Sequence, residues 1–268
     1  MLLEIEWIVS FLLLGTLVGV MAGLLGIGGG GIMVPVLTGI FLRQGVAVDN
    51  VVHLALGTSM ASIITISFSS LRAHHAKGAV IWKIVKAMSP GIIAGTFAAT
   101  FFAAYASSMY LAIFFSIFMA YVALQMFINK KPAPSRTLAG RAGLMLAGSG
   151  IGAISALVSI GGGSLTVPYL GWQNIDLKRA IGTSAAIGFP ISIAGTAGYV
   201  INGWSNSSIE NYTLGFVYLP AVLLISVASF ISAPYGVNLA HRLPVAILKK
   251  VFAVLLILLS LKMLVSVL

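Results

Sequence analysis

Ile27-Gly28-Gly29-Gly30-Gly31-Ile32-Met33-Val34-Pro35 is met again as Ile160-Gly161-Gly162-Gly163-Ser164-Leu165-Thr166-Val167-Pro168. Such glycine runs break a helix, because glycine loses more backbone freedom on ordering than any other residue. Each run leads into an apolar stretch, 31–42 and 164–172, that is too short to cross a bilayer. About twelve helical residues cover only about 18 Å of a hydrocarbon core about 30 Å thick. The repetition continues: Gly57-Thr58-Ser59 matches Gly182-Thr183-Ser184, Gly78 matches Gly203, Pro90 matches Pro220 and Phe115 matches Phe252. Close helix packing through small residues is the simpler reading of scattered glycines such as Gly91 and Gly95. Two matched runs point instead to broken-helix tips.

The chain around these runs is a membrane chain. Of its 268 residues, 59% are hydrophobic and 7% are charged, against roughly 25% charged in soluble domains. A soluble enzyme or a nucleic-acid-binding domain is excluded, since so few charges cannot cover a soluble surface. Apolar stretches of spanning length lie near 7–26, 51–72, 84–105, 109–128, 142–160, 180–201, 214–236 and 246–267. The expected fold is all-α: eight long helices plus two half-length helices after the glycine breaks. A barrel would alternate polar and apolar residues instead. Met1-Leu2-Leu3-Glu4-Ile5-Glu6 is acidic and lacks the basic flank of a signal peptide, so the run behind it reads as a retained segment. There is no Cys, hence no disulfide framework, thiolate metal site or thiol nucleophile.

Charge sets the expected orientation. Thirteen of the fifteen Lys and Arg fall in four places, 72–86, 130–141, 178–179 and 242–250, while Glu4, Glu6, Asp49 and Glu210 fall in the other loops. The positive-inside rule puts the four basic places in the cytoplasm and both termini outside, in a multi-pass cell (inner) membrane protein. The matched halves, 1–128 and 142–268 with a cytoplasmic linker at 129–141, are then inverted repeats of five elements each. A re-entrant hairpin and a double crossing of 7–42 and 142–172 have the same parity; the short second arms favour the hairpin. Gly-interrupted segments at matching places in inverted repeats mark the binding site of secondary transporters.

The pairing of G-x-G-G-G-x-x-x-V-P with a downstream G-T-S, occurring twice, resembles the TauE/SafE sulfite exporter family, also called the toluene-sulfonate uptake permease family. The resemblance covers nearly the whole chain and is most specific at 26–35, 57–59, 160–168 and 182–184. It implies transport of sulfite, an organosulfonate, or another sulfur-containing or carboxylate anion. Ser164, where the first half has Gly31, is a mild departure from the pattern.

The residues suit that chemistry on their own terms. A half-helix leaves its first backbone N–H groups unpaired at the positive end of its dipole, and glycine lets a ligand come close to them. The expected anion site therefore lies between Gly28, Gly29, Gly30 and Gly31 on one side and Gly161, Gly162, Gly163 and Ser164 on the other. Asp49 or Asn50 is expected to cap the helix carrying Thr58 and Ser59. Those hydroxyls, with Thr183 and Ser184 from the other face, would complete an anion's hydrogen bonding, unless they only bond their own helix or join neighbours.

His53, aligned with Lys178 in the other half, is a candidate gate or proton-linked residue, though a lone His near a helix end is more often interfacial. His74 and His75 read as surface, and Lys262 as snorkelling. No acidic residue lies deep in a span, which disfavours a carboxylate relay or sodium site in the core; protons and sodium stay the coupling-ion candidates. No cofactor, metal or nucleic-acid partner is expected. The expected partners are the lipid bilayer and the anion, with homo-oligomers allowed. No nucleophile has a His at matching depth, so an enzyme is not expected. The rival reading is an anion-selective channel with the Gly-rich tips as its filter.

Overall fold

The computed structural model describes residues 4–25, 29–128, 137–204, 212–240 and 245–267. These form ten helices: α1 (Ile5–Leu25), α2 (Gly30–Arg43), α3 (Val48–Ala76), α4 (Trp82–Tyr105), α5 (Ser108–Ile128), α6 (Arg141–Val158), α7 (Gly163–Trp172), α8 (Leu177–Gly203), α9 (Leu219–Ala240) and α10 (Val245–Val267). Eight are long and apolar enough to cross a membrane. The other two, α2 and α7, have 14 and 10 residues. They are the half-length elements that follow the glycine runs.

Two local expectations are corrected. The helix carrying Thr58 begins at Val48 with Ala47 at its cap, so neither Asp49 nor Asn50 is the N-cap. Ala47 is extended (φ −57°, ψ 139°), and Asp49 instead lies in the first turn, where a carboxylate suits the positive end of the helix dipole. The ninth helix starts later than residue 214. A short antiparallel hairpin, β1 (Thr213–Leu214) with β2 (Val217–Tyr218), precedes it. Gly215, at φ 57°, supplies the positive φ that such a tight two-residue loop requires.

Contacts sort the helix ends onto two sides of the bundle. On one side, Phe11 of α1, Phe41 of α2 and Tyr218 of the hairpin form an aromatic cluster with ring centroids 5.8–6.4 Å apart. Ser108, starting α5, donates to the Asp49 carbonyl near the start of α3 at 2.8 Å. On the other side, the Ile81 N–H before α4 donates to Thr183 near the start of α8 at 3.0 Å, and the Ala139 N–H before α6 donates to Gln173 after α7 at 3.2 Å. Both α1 and α2 thus have their outer ends on the same side, as arms of one hairpin. The segments 72–86 and 173–179 and the described part of 130–141 share the opposite side.

Two of the seams that bind one half of the chain to the other are built on glycine. Along α1–α9, a Cβ at Gly15 would come within 2.7 Å of the Ile225 carbonyl oxygen, and one at Gly19 would overlap Ser232 and lie 2.5 Å from the Ser229 carbonyl oxygen. Along α4–α6, Gly148 meets the Met88 carbonyl at 2.6 Å and Gly152 the Ile92 carbonyl at 2.5 Å by the same measure. Gly91 and Gly95 line this second seam against the Met145 and Ser149 carbonyls, which is the packing role expected of them. In register, Gly15 and Gly19 of α1 stand where Gly148 and Gly152 stand in α6. Ile225 and Ser229 then correspond to Met88 and Ile92. This register sets Pro90 against Val227, so the sequence match of Pro90 with Pro220 does not hold in space.

Candidate functional site

The glycine runs bring both half-helices to the middle of the bundle. Gly30, the first residue of α2, lies against Ile63, near the midpoint of α3; a Cβ there would be 3.2 Å from the Ile63 Cδ1 and would overlap the Ser159 carbonyl. Ser159 closes α6 in the left-handed conformation (φ 49°), immediately before the second glycine run. The Gly161 carbonyl oxygen, in turn, would be 2.7 Å from a Cβ at Gly188, near the middle of α8. The two tips therefore touch each other. Gly28 lies outside the described residues.

The first turns are wired alike. The N–H groups of Ile32 and Met33 donate to the Gly29 carbonyl at 3.1 Å each, and those of Leu165 and Thr166 donate to Gly162 at 3.2 and 2.8 Å. That pattern leaves the N–H groups of Gly30, Gly31, Gly163 and Ser164 as the ones a helix start cannot pair internally. Neither Gly29 nor Gly162 brings a capping side chain. Gly162 sits at φ 78°, where an L side chain would be strained.

The hydroxyls of the two G-T-S motifs divide into two roles. Each threonine accepts a backbone N–H from the segment ahead of a long helix: Thr58 from Tyr218 and Thr183 from Ile81, both at 3.0 Å. Each motif glycine lies under the same segment, Gly57 against the Phe216 carbonyl and Gly182 within 2.6 Å (at its Cβ position) of the Ala79 carbonyl. In this register Gly215, not Gly203, is the counterpart of Gly78; both have positive φ, 57° and 64°. Sequence matching missed this because the chain between 203 and 215 has no equivalent ahead of Gly78.

The serines are different. Ser59 and Ser184 are buried, and their hydroxyls have no hydrogen-bond partner among the described residues. Ser155, Ser159, Ser164, Thr166 and Thr96 carry buried hydroxyls in the same condition. A buried polar group without a partner costs about 1–3 kcal/mol, so each of these hydroxyls calls for a ligand or water. Of these, Ser155, Ser159, Thr166 and Thr96 are additions to the sequence-derived set. Comparing the two glycine runs could have found two of them: Ser159 and Thr166 stand where the first run has Gly26 and Met33.

His53 and Lys178 are not brought together. His53 is buried; its Nε2–H donates to the Ala103 carbonyl at 2.8 Å, and its ring stacks on Phe216 at 5.1 Å. It ties α3 to α4 and to the hairpin rather than lying at an interface. Lys178 is exposed at the start of α8, where its N–H donates to the Asp176 carboxylate at 3.1 Å. Among the described residues no cluster of His, Cys, Asp or Glu could hold a metal ion, and His53 is the one buried residue with an ionisable acid or base of the Asp, Glu, His, Lys or Arg kind.

A neutral, donor-rich centre in a helical membrane bundle agrees with comparison to known proteins. The profile of the family described as "Sulfite exporter TauE/SafE" matches residues 11–263. The chain belongs to this family. A Haemophilus influenzae protein named "Probable membrane transporter protein" is 35% identical over 96% of this chain and 98% of its own length. "Probable membrane transporter protein MJ0441" of Methanocaldococcus jannaschii is 28% identical over 90% of each chain, and "Probable membrane transporter protein YdhB" of Bacillus subtilis is 25% identical over 87% and 90%. No solved structure matches the chain. As a TauE/SafE family member with relatives of nearly equal length, it is a multi-pass membrane transporter.

Proposed function

We propose that the protein is a secondary transporter that moves a small anion, most simply sulfite, an organosulfonate or a related sulfur-containing anion, by alternating access around a site at the middle of the bundle. The observation that carries this reading is the meeting of the two glycine-rich breaks, Gly30 at the start of α2 against Ser159 just ahead of the second run, with buried unpartnered hydroxyls on Ser159 and Ser164. Helix N-termini favour negative charge, and hydroxyls can donate to an oxyanion. The backbone N–H groups of Gly29–Gly31 and Gly161–Ser164 and the hydroxyls of Ser59 and Ser184 are the donors available to such a ligand. Thr58 and Thr183 serve it indirectly by fixing the segments before α9 and α4.

The two halves are read as inverted repeats. Matching contacts, such as Thr58 with Tyr218 and Thr183 with Ile81, fall at opposite ends of the bundle, which is the arrangement alternating access uses. The basic ends, 72–86 and 173–179, face the cytoplasm. The test is flux in proteoliposomes with sulfite, sulfonates and carboxylates, under imposed proton or sodium gradients. Saturable, trans-stimulated uptake of one of these anions supports a carrier. Current that stays ohmic with no trans-stimulation would refute it in favour of a channel.

A further inference from the structure

The two tips match in sequence, yet they are not alike. Around α2, the positions facing outward from the tip are filled with apolar groups. A Cβ at Gly31 would meet Leu256 Cδ2 at 2.9 Å and Met119 Sδ at 3.2 Å, Gly29 lies against Val18, and Met33 is fully buried. Around α7, the matching positions carry hydroxyls: Ser164 for Gly31, Thr166 for Met33 and Ser159 for Gly26. All three are hydroxyls without a protein partner. The Thr166 Oγ1 lies 3.4 Å from the Cβ position of Gly162, so it is aimed back at its own helix start.

Helix α8 adds a further donor to the same tip. Ile187, Gly188 and Ile191 all pack against it: the Gly162 Cβ position is 3.7 Å from the Ile187 Cγ2 and 2.8 Å from the Ile191 Cδ1, and Gly188 touches Gly161. Ser184 is three and four residues before Ile187 and Gly188, hence on the same face of the helix. It is 2% exposed with an unpartnered hydroxyl.

We infer that the α7 tip alone is the anion-binding tip, with Ser159, Ser164, Thr166 and Ser184 as its hydroxyl donors, and that its ligand is a singly charged oxyanion. The α2 tip acts as the wall against which that ligand is held. The charge limit follows from the neutral surroundings: no Lys or Arg is buried among the described residues. A helix start offers only about half a unit of positive charge. The cost of taking an ion out of water rises with the square of its charge, and a dianion here has no counter-charge to offset it. This inference rests on the transport reading above.

The test uses purified full-length protein and the shift of its unfolding temperature with added anion. Methanesulfonate, hydrogensulfite and acetate serve as monoanions, sulfate as the dianion, with chloride matching ionic strength. Neither Thr166→Val nor Ser164→Ala breaks a protein hydrogen bond, since both hydroxyls lack partners, so the double variant is expected to fold. At least one monoanion should stabilise the wild type, and sulfate should not. The S164A/T166V double variant should raise the half-saturating concentration by about tenfold or more, while Gly31→Ala, whose neighbours are flexible side-chain ends, should leave it unchanged. Equal weakening by Gly31→Ala, an undisturbed double variant, or sulfate binding as tightly as the monoanion would each overturn the inference. A wild type neither stabilised nor crossed by any of these anions would remove the transport reading itself, and this inference with it.

Discussion

Replacing Gly30 by Ala tests whether the first glycine break meets the end of α6 ahead of the second. The added methyl would overlap the Ser159 carbonyl oxygen and lie 2.7 Å from its carbon. Ordinary contact begins near 3.4 Å, so the carbon must retreat by about 0.7 Å and the oxygen by more than about 1 Å. The obstacle is backbone, and Ser159 is pinned in the left-handed conformation at the end of α6, so no side-chain rotation relieves it. Overpacking a core costs about 1–3 kcal/mol, and a backbone clash belongs at the upper end. For a chain of this size that is a fall of roughly 5–10 °C in unfolding temperature. Gly39 provides the control in the same helix: nothing lies within 4 Å of its Cβ position. Gly39→Ala should be neutral or gain up to about 1 kcal/mol from helix propensity. Thermal unfolding of the purified protein reads both. If the Gly30→Ala variant unfolds at the wild-type temperature, the tips do not touch at Gly30, and the central site loses its geometry.

Thr183→Val and Thr58→Val keep shape but remove the acceptor for the Ile81 and Tyr218 N–H groups, so each should cost about 1–3 kcal/mol of stability; unchanged unfolding temperatures in both would show that these hydroxyls do not anchor the segments before α4 and α9. His53→Ala should likewise lower the unfolding temperature, because the Ala103 carbonyl loses its donor and Phe216 its stacking partner; transport by the variant that remains folded should keep the wild-type pH profile, and a flattened profile would restore His53 as a proton-linked residue. For orientation, a cysteine placed at exposed Tyr212 should react with an impermeant thiol reagent from outside and one at exposed Thr137 only from the cytoplasm. The reverse pattern would overturn the assignment of sides, and the chain offers no native Cys to confuse it.

Much of the architecture was legible because bilayer physics leaves few choices. The eight spanning runs and the two short ones can be read from length and apolarity alone, and all ten reappear as helices. What was missed depends on residues distant in sequence. The threonine of G-T-S reads as a ligand donor, and its own surroundings in the sequence do not show that its oxygen also accepts the Tyr218 or the Ile81 N–H. Those partners are 160 and 102 residues away. The hairpin at 213–218 escaped because Leu214-Gly215-Phe216-Val217 is as apolar as the helix after it, and only Gly215 marks the turn. Gly78 was paired with Gly203 by spacing, whereas positive φ pairs it with Gly215. His53 looked interfacial because nothing in its own helix shows the Ala103 carbonyl or the Phe216 ring.

The seams constrain how such a molecule can open. Each joins a helix of one half to a helix of the other, α1 to α9 and α4 to α6, and at each the missing side chain of glycine lets backbone approach backbone. Sliding along such a seam would drive neighbouring side chains into the carbonyls now facing Gly15, Gly19, Gly148 and Gly152. Close-packed interfaces of this kind switch between discrete arrangements or move as one body; they do not yield gradually. A carrier built this way therefore moves α1 with α9, and α4 with α6, each pair drawing on both halves of the sequence. Other joints are the segments before α4 and α9, tied to α8 and α3 in part by the threonine hydroxyls, and the contact of Gly30 with Ser159. Of these, the last lies at the ligand. On the reading proposed above, an anion seated on the α7 tip would add contacts between the elements that this joint separates, and so bias the equilibrium between the two arrangements by its differential affinity for them.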